Sequence, residues 1–393
     1  MKIVGIICEY NPFHSGHEWM LRTLREQGAD AIVCAMSGNF VQRGEFAVVN
    51  KLSRAEMALR GGADLVLEMP TPWASATAET FARGGVQLLT MAGCTHLAFG
   101  CECGDITLLQ KVAALLTQEM FAADIKKYLS GGVSYAVARK QAAEEHLGPA
   151  ADILDTPNNI LAIEYLKAIS FCKSPLQPIA LPRRGAAHDG EAKDGFASAS
   201  HIRQWLRCGR IAEAEQYLPA PAADILRREI EAGRMADMAL CERGILAHLR
   251  RMEEEAFRAF DGGNEGLYHR FYQAVQTAST LAEVLQKAKT KRYAHARLRR
   301  MALAAYLNLP PVPDRPPYLR LLAADETGRK LLRQMQKAGL PVLTKPADVE
   351  KLGAEAAKLF ARECEMTDLY TLAYTDLSQS VCRSDWRTTP VTE

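Results

Sequence analysis

Two histidines three residues apart, His14 and His17, bracket Ser15 and Gly16 directly after the turn Glu9-Tyr10-Asn11-Pro12-Phe13. Residues three apart on a helix share a face, so both imidazoles can reach one pocket. Imidazole N–H groups aimed at phosphoryl oxygens stabilise the charge that builds as a phosphoryl group is transferred. Gly16 carries no side chain and lets the backbone pass close to a ligand. A helix opening at this point also offers unpaired N–H groups and a positive dipole end, both suited to phosphate. A metal is the poorer reading of the same pair, because no third ligand lies nearby. Gln42, Arg43 and Lys51 follow the second apolar run, where a substrate edge is expected.

Such a pair works only if something rigid holds it. Lys2 to Cys8 is an apolar run closed by the turn, and Gly16 to Glu26 has Trp19, Met20, Leu21 and Leu24 at helical spacing. Further runs at Ala31 to Met36, Asp64 to Glu68 and His96 to Phe99 alternate with helical patterns at Leu52 to Leu59 and Ala78 to Met91. Strands alternating with helices of this length predict βαβ units and a doubly wound parallel sheet, whose ligands sit at the carboxyl ends of the strands. Residues 106–175 read as helical, and Pro178 to Leu181 as a late strand of the same sheet. A polar loop is expected over Arg183 to Asp194, then a helix over Ser198 to Arg207 capped by Ser200.

From Ile211 the pattern turns helical through 220–308, the Pro310 to Pro317 stretch breaks it, and a small α/β-like tail follows. The division predicted is residues 1–210, a Rossmann-like α/β nucleotide domain, and residues 211–393, a mostly helical region with that tail.

With 393 residues, 48 Lys+Arg against 46 Asp+Glu give a net charge of +2. A chain that coats nucleic acid with its whole surface is far more basic, so nucleic-acid binding is restricted to a local patch. One exists: residues 287–300 contain Lys287, Lys289, Lys291, Arg292, Arg297, Arg299 and Arg300 and no acid, with Tyr293 and His295 interleaved as stacking candidates. The group Arg227, Arg228, Arg234, Arg250 and Arg251 is mixed with acids and reads as ordinary helix surface. Mean hydropathy is −0.13. No apolar window is long enough for a membrane span, and the N-terminal run reads as a buried strand, not a signal peptide. The ten scattered cysteines predict reduced thiols and a cytoplasmic location.

The string from Gly5 to His17, GIICEYNPFHSGH, resembles the HxGH nucleotidyltransferases related to class I aminoacyl-tRNA synthetases. Within them it is similar to the tRNA(Met) cytidine acetate ligases. The same likeness is carried by SGNFVQRGE (Ser37 to Glu45), GGADLVLEMP (Gly61 to Pro70), FGCECGD (Phe99 to Asp105), TPNNILAIEY (Thr156 to Tyr165), RRGAAHD (Arg183 to Asp189), SASHIR (Ser198 to Arg203) and TKRYAHARLRR (Thr290 to Arg300). The resemblance implies an enzyme that joins ATP and acetate into acetyl-adenylate and pyrophosphate, then passes the acetyl group to N4 of the wobble cytidine of elongator tRNA(Met). It implies ATP as the nucleotide; the charge of its phosphates calls for Mg²⁺, and the sequence shows no dedicated carboxylate cage for the ion.

On that resemblance His14 and His17 act on the phosphoryl oxygens. Ile7, Cys8, Glu9, Tyr10, Asn11, Pro12, Phe13 and Gly16 cradle the nucleotide. Gly100, Asn158 and Arg183 contact ATP, with Asn159 and Arg184 the neighbouring alternatives. Ser198, Ser200 and Arg203 serve the outer phosphates, and the basic run serves tRNA. Acetate, already ionised near neutral pH, needs no base to attack phosphorus. Two other functions fit parts of the pattern: a nucleotidyltransferase adenylylating a small phosphorylated metabolite, and an RNA-binding protein with a vestigial nucleotide fold.

Overall fold

A computed structural model describes residues 1–183, 195–263 and 266–393. The first strand, β1 (Ile3–Cys8), shows why the sheet forms where it does. Val4, Ile6 and Cys8 point into one buried cluster and Ile7 into another, the period of two that a strand covered on both faces requires. β1 pairs in parallel with β2 (Ala31–Ser37) on one side and β6 (His96–Cys101) on the other. A short antiparallel hairpin, β3 (Phe40–Val41) and β4 (Glu45–Phe46), leaves the end of β2. β5 (Leu65–Met69) continues the sheet beyond β2, and β7 (Gln177–Pro182) lies beyond β6, both in parallel register. The strands expected from the sequence are therefore present, each within two residues of its expected ends.

One face of the sheet is covered by helices that include Ala78–Met91 and Pro157–Phe171, the other by Ser15–Glu26, Lys51–Arg60, Ala199–Arg207 and Ala220–Glu231. The Ala78–Met91 helix comes close to β1 because Gly85 leaves room for Ile7: a Cβ there would sit 2.5 Å from Ile7 Cδ1.

The tail does not stay with the helical half. β8 (Leu319–Ala324) pairs antiparallel with β5, and β9 (Val342–Leu343) and β10 (Val391–Thr392) pair with β8. The sheet order is β10-β8-β5-β2-β1-β6-β7, with β9 on β8. The chain thus crosses the division expected at 210/211 twice, and its last strands extend the N-terminal sheet. Between them a separate helical core forms from segments including Glu242–Arg251, Leu267–Thr277, Leu281–Ala288 and His295–Leu307. The β3–β4 hairpin joins it through Phe40 and Phe46, and the Ala354–Thr371 helix through Met366 and Tyr370. The Tyr370 hydroxyl donates to the Ala47 carbonyl at 2.9 Å and ties the hairpin down.

Candidate active site

The strand order reverses at β1, which has β2 on one side and β6 on the other, and an open parallel sheet leaves a crevice there. A cleft of about 340 Å³ occupies it. Of the residues expected at the site, Ile7, Cys8, Glu9, Tyr10, Asn11, His14, Gly16, His17, Gly100, Asn158, Arg183 and Arg203 line this cleft. Elements far apart in sequence thus converge on one cavity.

His14 is the N-cap of the Ser15–Glu26 helix, and its Nδ1 accepts the Gly16 N–H at 3.1 Å. His17 reciprocates, its Nδ1 accepting the His14 N–H at 3.2 Å. The HxGH spacing therefore builds a capping box with imidazoles in both places. The rings stack with centroids 3.6 Å apart and planes 23° apart. An imidazole whose Nδ1 accepts a hydrogen bond and stays neutral must carry its proton on Nε2. Both do stay neutral. Burial, and after it Arg183 and Arg203, pulls His14 down to about 3. Burial, His14 and Arg183 hold His17 well below its ordinary value. Neither Nε2 carries a bond among the described residues, so each ring keeps one N–H donor for a ligand. Gly16 keeps the backbone clear of the stacked ring: a Cβ there would lie 3.0 Å from His14 Cε1.

The helix start differs from the expectation of unpaired amides. The Ser15 N–H bonds to the Tyr217 carbonyl at 2.9 Å, the Gly16 N–H to the His14 ring, and the His17 N–H to the His14 carbonyl at 2.8 Å. The cap consumes the donors that phosphate would have used. Pro12 and Phe13, expected in the nucleotide cradle, lie outside the lining. Phe13 is fully buried in the core beneath Gly61.

Across the cleft, Arg183 Nη1 donates to Asn158 Oδ1 at 3.2 Å, and the Asn158 side-chain amide donates to Glu102 Oε1 at 2.6 Å. Gly100 makes room for this arginine, since a Cβ there would meet Arg183 Cγ at 3.3 Å. Asn159 is used elsewhere. Its Oδ1 accepts the Glu102 and Cys103 amides at 2.9 and 3.1 Å, and the residue is buried away from the cleft. Arg184, the other open assignment, falls outside the described residues, as does most of the RRGAAHD stretch.

On the third side Arg203 donates to the Asn11 carbonyl at 2.9 Å and lies 3.7 Å from Glu45 Oε2. Ser198, not Ser200, caps its helix by accepting the His201 N–H at 3.2 Å. Ser200 Oγ accepts from Arg203 at 3.3 Å. Neither serine reaches the lining, so of the phosphate trio only Arg203 does.

The β3–β4 hairpin brings Gln42 and Arg43 to the rim. The Gln42 N–H donates to Glu9 Oε1 at 2.8 Å, and its side-chain amide to the Ala76 carbonyl at 3.2 Å. Lys51 is no part of the cleft. It is buried in a separate ionic cluster, 2.8 Å from Glu68 and 2.6 Å from Asp385, with Arg320 also against both acids. Sequence reasoning misses the aromatic wall of Phe81, Phe99, Tyr165 and Phe196. Aromatic residues at strand or helix spacing look the same whether they face a core or a cavity. Among the described residues no group of three or more ligating side chains stands ready for a metal.

The basic run divides in two. Lys287, Lys289, Lys291 and Arg292 are exposed. Lys287 pairs with Glu283 at 2.8 Å, Arg297 with Asp261 at 3.0 Å and Arg299 with Glu45. Arg300 is partly buried beside the hairpin, where a Cβ on Gly44 would lie 2.5 Å from its backbone nitrogen. Tyr293 does not stand out as a stacking platform; it is buried in the helical core with the Arg297 guanidinium 5.2 Å from its ring centroid. His295 is exposed. Arg227 pairs with Glu215, whereas Arg228 and Arg234 close over the buried Glu229, and Arg228 also reaches the buried Glu56, so this group is not the ordinary helix surface expected. No helix among the described residues is long and apolar enough to cross a membrane.

Comparison with known proteins agrees with this geometry. The profile of the family described as HIGH Nucleotidyl Transferase matches residues 1–385. The chain is 38% identical over 392 residues to the tRNA(Met) cytidine acetate ligase of Thermoanaerobacter sp., covering 96% of this chain and 97% of that protein. It is 37% identical over 413 residues to the protein of the same name from Syntrophomonas wolfei, covering 100% of this chain and 99% of that one. The crystal structure of Thermotoga maritima TmcAL bound with α-thio ATP superposes with a TM-score of 0.92 at 30% identity, covering 100% of this chain and 99% of that chain. The match runs over the whole length in sequence and in fold, and the chain belongs to the HIGH nucleotidyltransferases and, within them, to the tRNA(Met) cytidine acetate ligase family.

Proposed function

We propose that this protein is an ATP-dependent ligase that acetylates N4 of the wobble cytidine of elongator tRNA(Met). In the first step an acetate oxygen attacks the α-phosphorus of ATP, a P–O bond forms, and pyrophosphate leaves with the electrons of the broken one. In the second, cytidine N4 displaces AMP from the acetyl carbon and N4-acetylcytidine results. The chemistry of the first step is positioning and charge stabilisation. His14 and His17 present neutral N–H donors to the phosphoryl oxygens, and Arg183 and Arg203 face the phosphates from opposite walls. Asn158 orients Arg183, and Gly100 leaves it room. Mg²⁺ enters with the triphosphate as its counter-ion.

The nucleotide step belongs to residues 1–210 with the returning strands, and tRNA contacts belong to the helical insertion, with Lys287, Lys289, Lys291 and Arg292 its exposed cations. Arg297, Arg299 and Arg300 support that surface from within. The observation that carries the reading is the pair of stacked imidazoles, each with its Nδ1 accepting a backbone amide, lining a cleft that also holds three arginines. The full-length kinship supports the choice of acyl acceptor over a small metabolite.

Incubating the protein with ATP, Mg²⁺, isotopically labelled acetate and elongator tRNA(Met), followed by mass spectrometry of the tRNA nucleosides, tests it. Labelled N4-acetylcytidine together with AMP and pyrophosphate is expected. Unmodified tRNA, with AMP transferred instead to a phosphorylated metabolite, replaces this reading with the alternative transferase.

A further inference from the structure

The second step makes a demand that no role assigned above meets. Cytidine N4 is an exocyclic amine whose lone pair is delocalised into the ring. When it attacks the acetyl carbon, the adduct nitrogen must lose a proton before adenylate departs, and an acceptor within hydrogen-bond reach speeds that loss. His14 and His17 do not qualify. Their Nδ1 lone pairs are engaged by backbone amides and their Nε2 atoms already hold protons. Arg43, Arg183 and Arg203 only donate. Cys8, Tyr10 and Tyr165 are held protonated by burial.

One carboxylate lines the cleft among the described residues, that of Glu9. It sits on the turn between β1 and the histidines. Its Oε1 accepts the Gln42 N–H at 2.8 Å, while Oε2 carries no bond among the described residues. Its backbone carbonyl accepts from the fully buried Arg54, so the turn is fixed behind it. The carboxylate therefore has one oxygen anchored and one available.

We infer that Glu9 is the general base of acetyl transfer, its Oε2 taking the proton from cytidine N4. The inference rests on the function proposed above. The N4 lone pair forms the C–N bond and the carbonyl pair moves to oxygen. Its return breaks the C–O bond to adenylate, which leaves as AMP with that electron pair. The N4 proton passes to Glu9 and then to solvent. Burial raises Glu9 above the usual carboxylate range, which strengthens it as a base. The charged and titratable groups facing it are Arg203, Arg43 and Glu45, with Arg54 and Tyr165 behind. Arg203 and Arg43 lower it and Glu45 raises it.

The experiment separates the half-reactions in the intact protein. Glu9→Gln keeps an acceptor for the Gln42 amide and removes the base. Whatever Glu9 contributes to the nucleotide cradle falls on both half-reactions, so single-turnover transfer from synthetic acetyl-adenylate to elongator tRNA(Met) is expected to slow about 100-fold or more, at least about tenfold more than acetate-dependent ATP–pyrophosphate exchange. The acid limb of the native transfer profile is expected to vanish in this variant. Glu9→Asp, which retracts the carboxylate, is expected to fall between the two and to slow transfer more than exchange; it decides the matter if Glu9→Gln does not fold. Transfer within about threefold of native in Glu9→Gln overturns the inference. So does equal loss of exchange and transfer, which would confine Glu9 to the nucleotide seat. If the native protein shows no acetate-dependent exchange and no transfer, the parent function fails and the inference falls with it, a pattern distinct from a defect confined to the variant.

Discussion

Lowering the pH from 7 to 5 should cost this protein stability through His14, and His14→Asn should remove that cost. The unfolded chain binds a proton at His14 as the pH falls past about 6.5. Folded His14 does not until about 3, because burial and two nearby guanidinium groups exclude the charge. Its folded value lies below its unfolded one, so the stabilisation is complete above the unfolded value and disappears progressively as the pH falls toward the folded one. The slope is about 1.4 kcal/mol per pH unit, which makes the loss about 2 kcal/mol by pH 5. His14 is only 8% exposed, so solvent screening reduces this little. Asn at the N-cap accepts a helix amide as well as His does but does not titrate. Urea denaturation at pH 7 and 5, at constant ionic strength and read by tryptophan fluorescence, gives both slopes. Glu9 and Glu363 titrate in both proteins and cancel in the difference, and His17 stays held low in both by burial, its largest cause, which the variant leaves in place. The native protein should lose about 2 kcal/mol more than the variant over this interval. A saturating triphosphate analogue should flatten the native slope by placing anionic oxygens beside the ring. Equal slopes without ligand would refute the neutral, capped state assigned to His14.

Three further outcomes follow from the same geometry. Arg203→Ala and Arg183→Ala each remove a charged donor from the cleft wall, worth about 1.5–3 kcal/mol, so each should raise the KM for ATP in pyrophosphate exchange about 10- to 100-fold; a change under twofold in both places the phosphates elsewhere. Replacing Lys289, Lys291 and Arg292 together by Ala should weaken tRNA binding and flatten its dependence on log salt by about 2–3, measured by fluorescence anisotropy across a salt series. Lys51→Met should lower stability by about 3–5 kcal/mol in urea, because Glu68 and Asp385 are left with Arg320 alone; a catalytic defect with unchanged stability would return Lys51 to the substrate edge.

The strands and helices of the first half were legible because their signals are local. Ile3–Cys8 alternates sides, Ala78–Met91 keeps helical spacing, and turns separate them. The closing of the sheet was not legible. Leu319–Ala324 falls in the tail expected to be α/β-like, yet nothing in its six residues says that it runs antiparallel beside β5. The pairing is fixed by contacts across some 250 positions, Glu68 opposite Arg320 among them, and two charges so far apart in sequence advertise no partnership. Tyr293 fails for a related reason. Its neighbours are basic, so the run reads as surface, while the helix that follows turns the ring inward.

The histidine motif was legible in residue type and differs from expectation in one physical detail. The His-x-Gly-His spacing by itself predicts a helix end open to phosphate, with imidazoles added on top. Read instead as an N-cap and the residue three positions on, the same spacing satisfies the helix end internally, since each imidazole accepts the amide that a capping box assigns to it. The backbone donors are spent, and the donors left for a ligand are the two Nε2–H groups. This exchange also fixes the tautomer. A free histidine shuttles its proton between two nitrogens, whereas a ring whose Nδ1 is held by an amide keeps its proton on Nε2. The pair is thereby converted from potential bases into fixed donors. The nearby arginines reinforce that state by opposing protonation at Nδ1. A cleft so arranged suits an ionised nucleophile such as acetate, which needs no base, and leaves the later deprotonation of an amine to a different side chain.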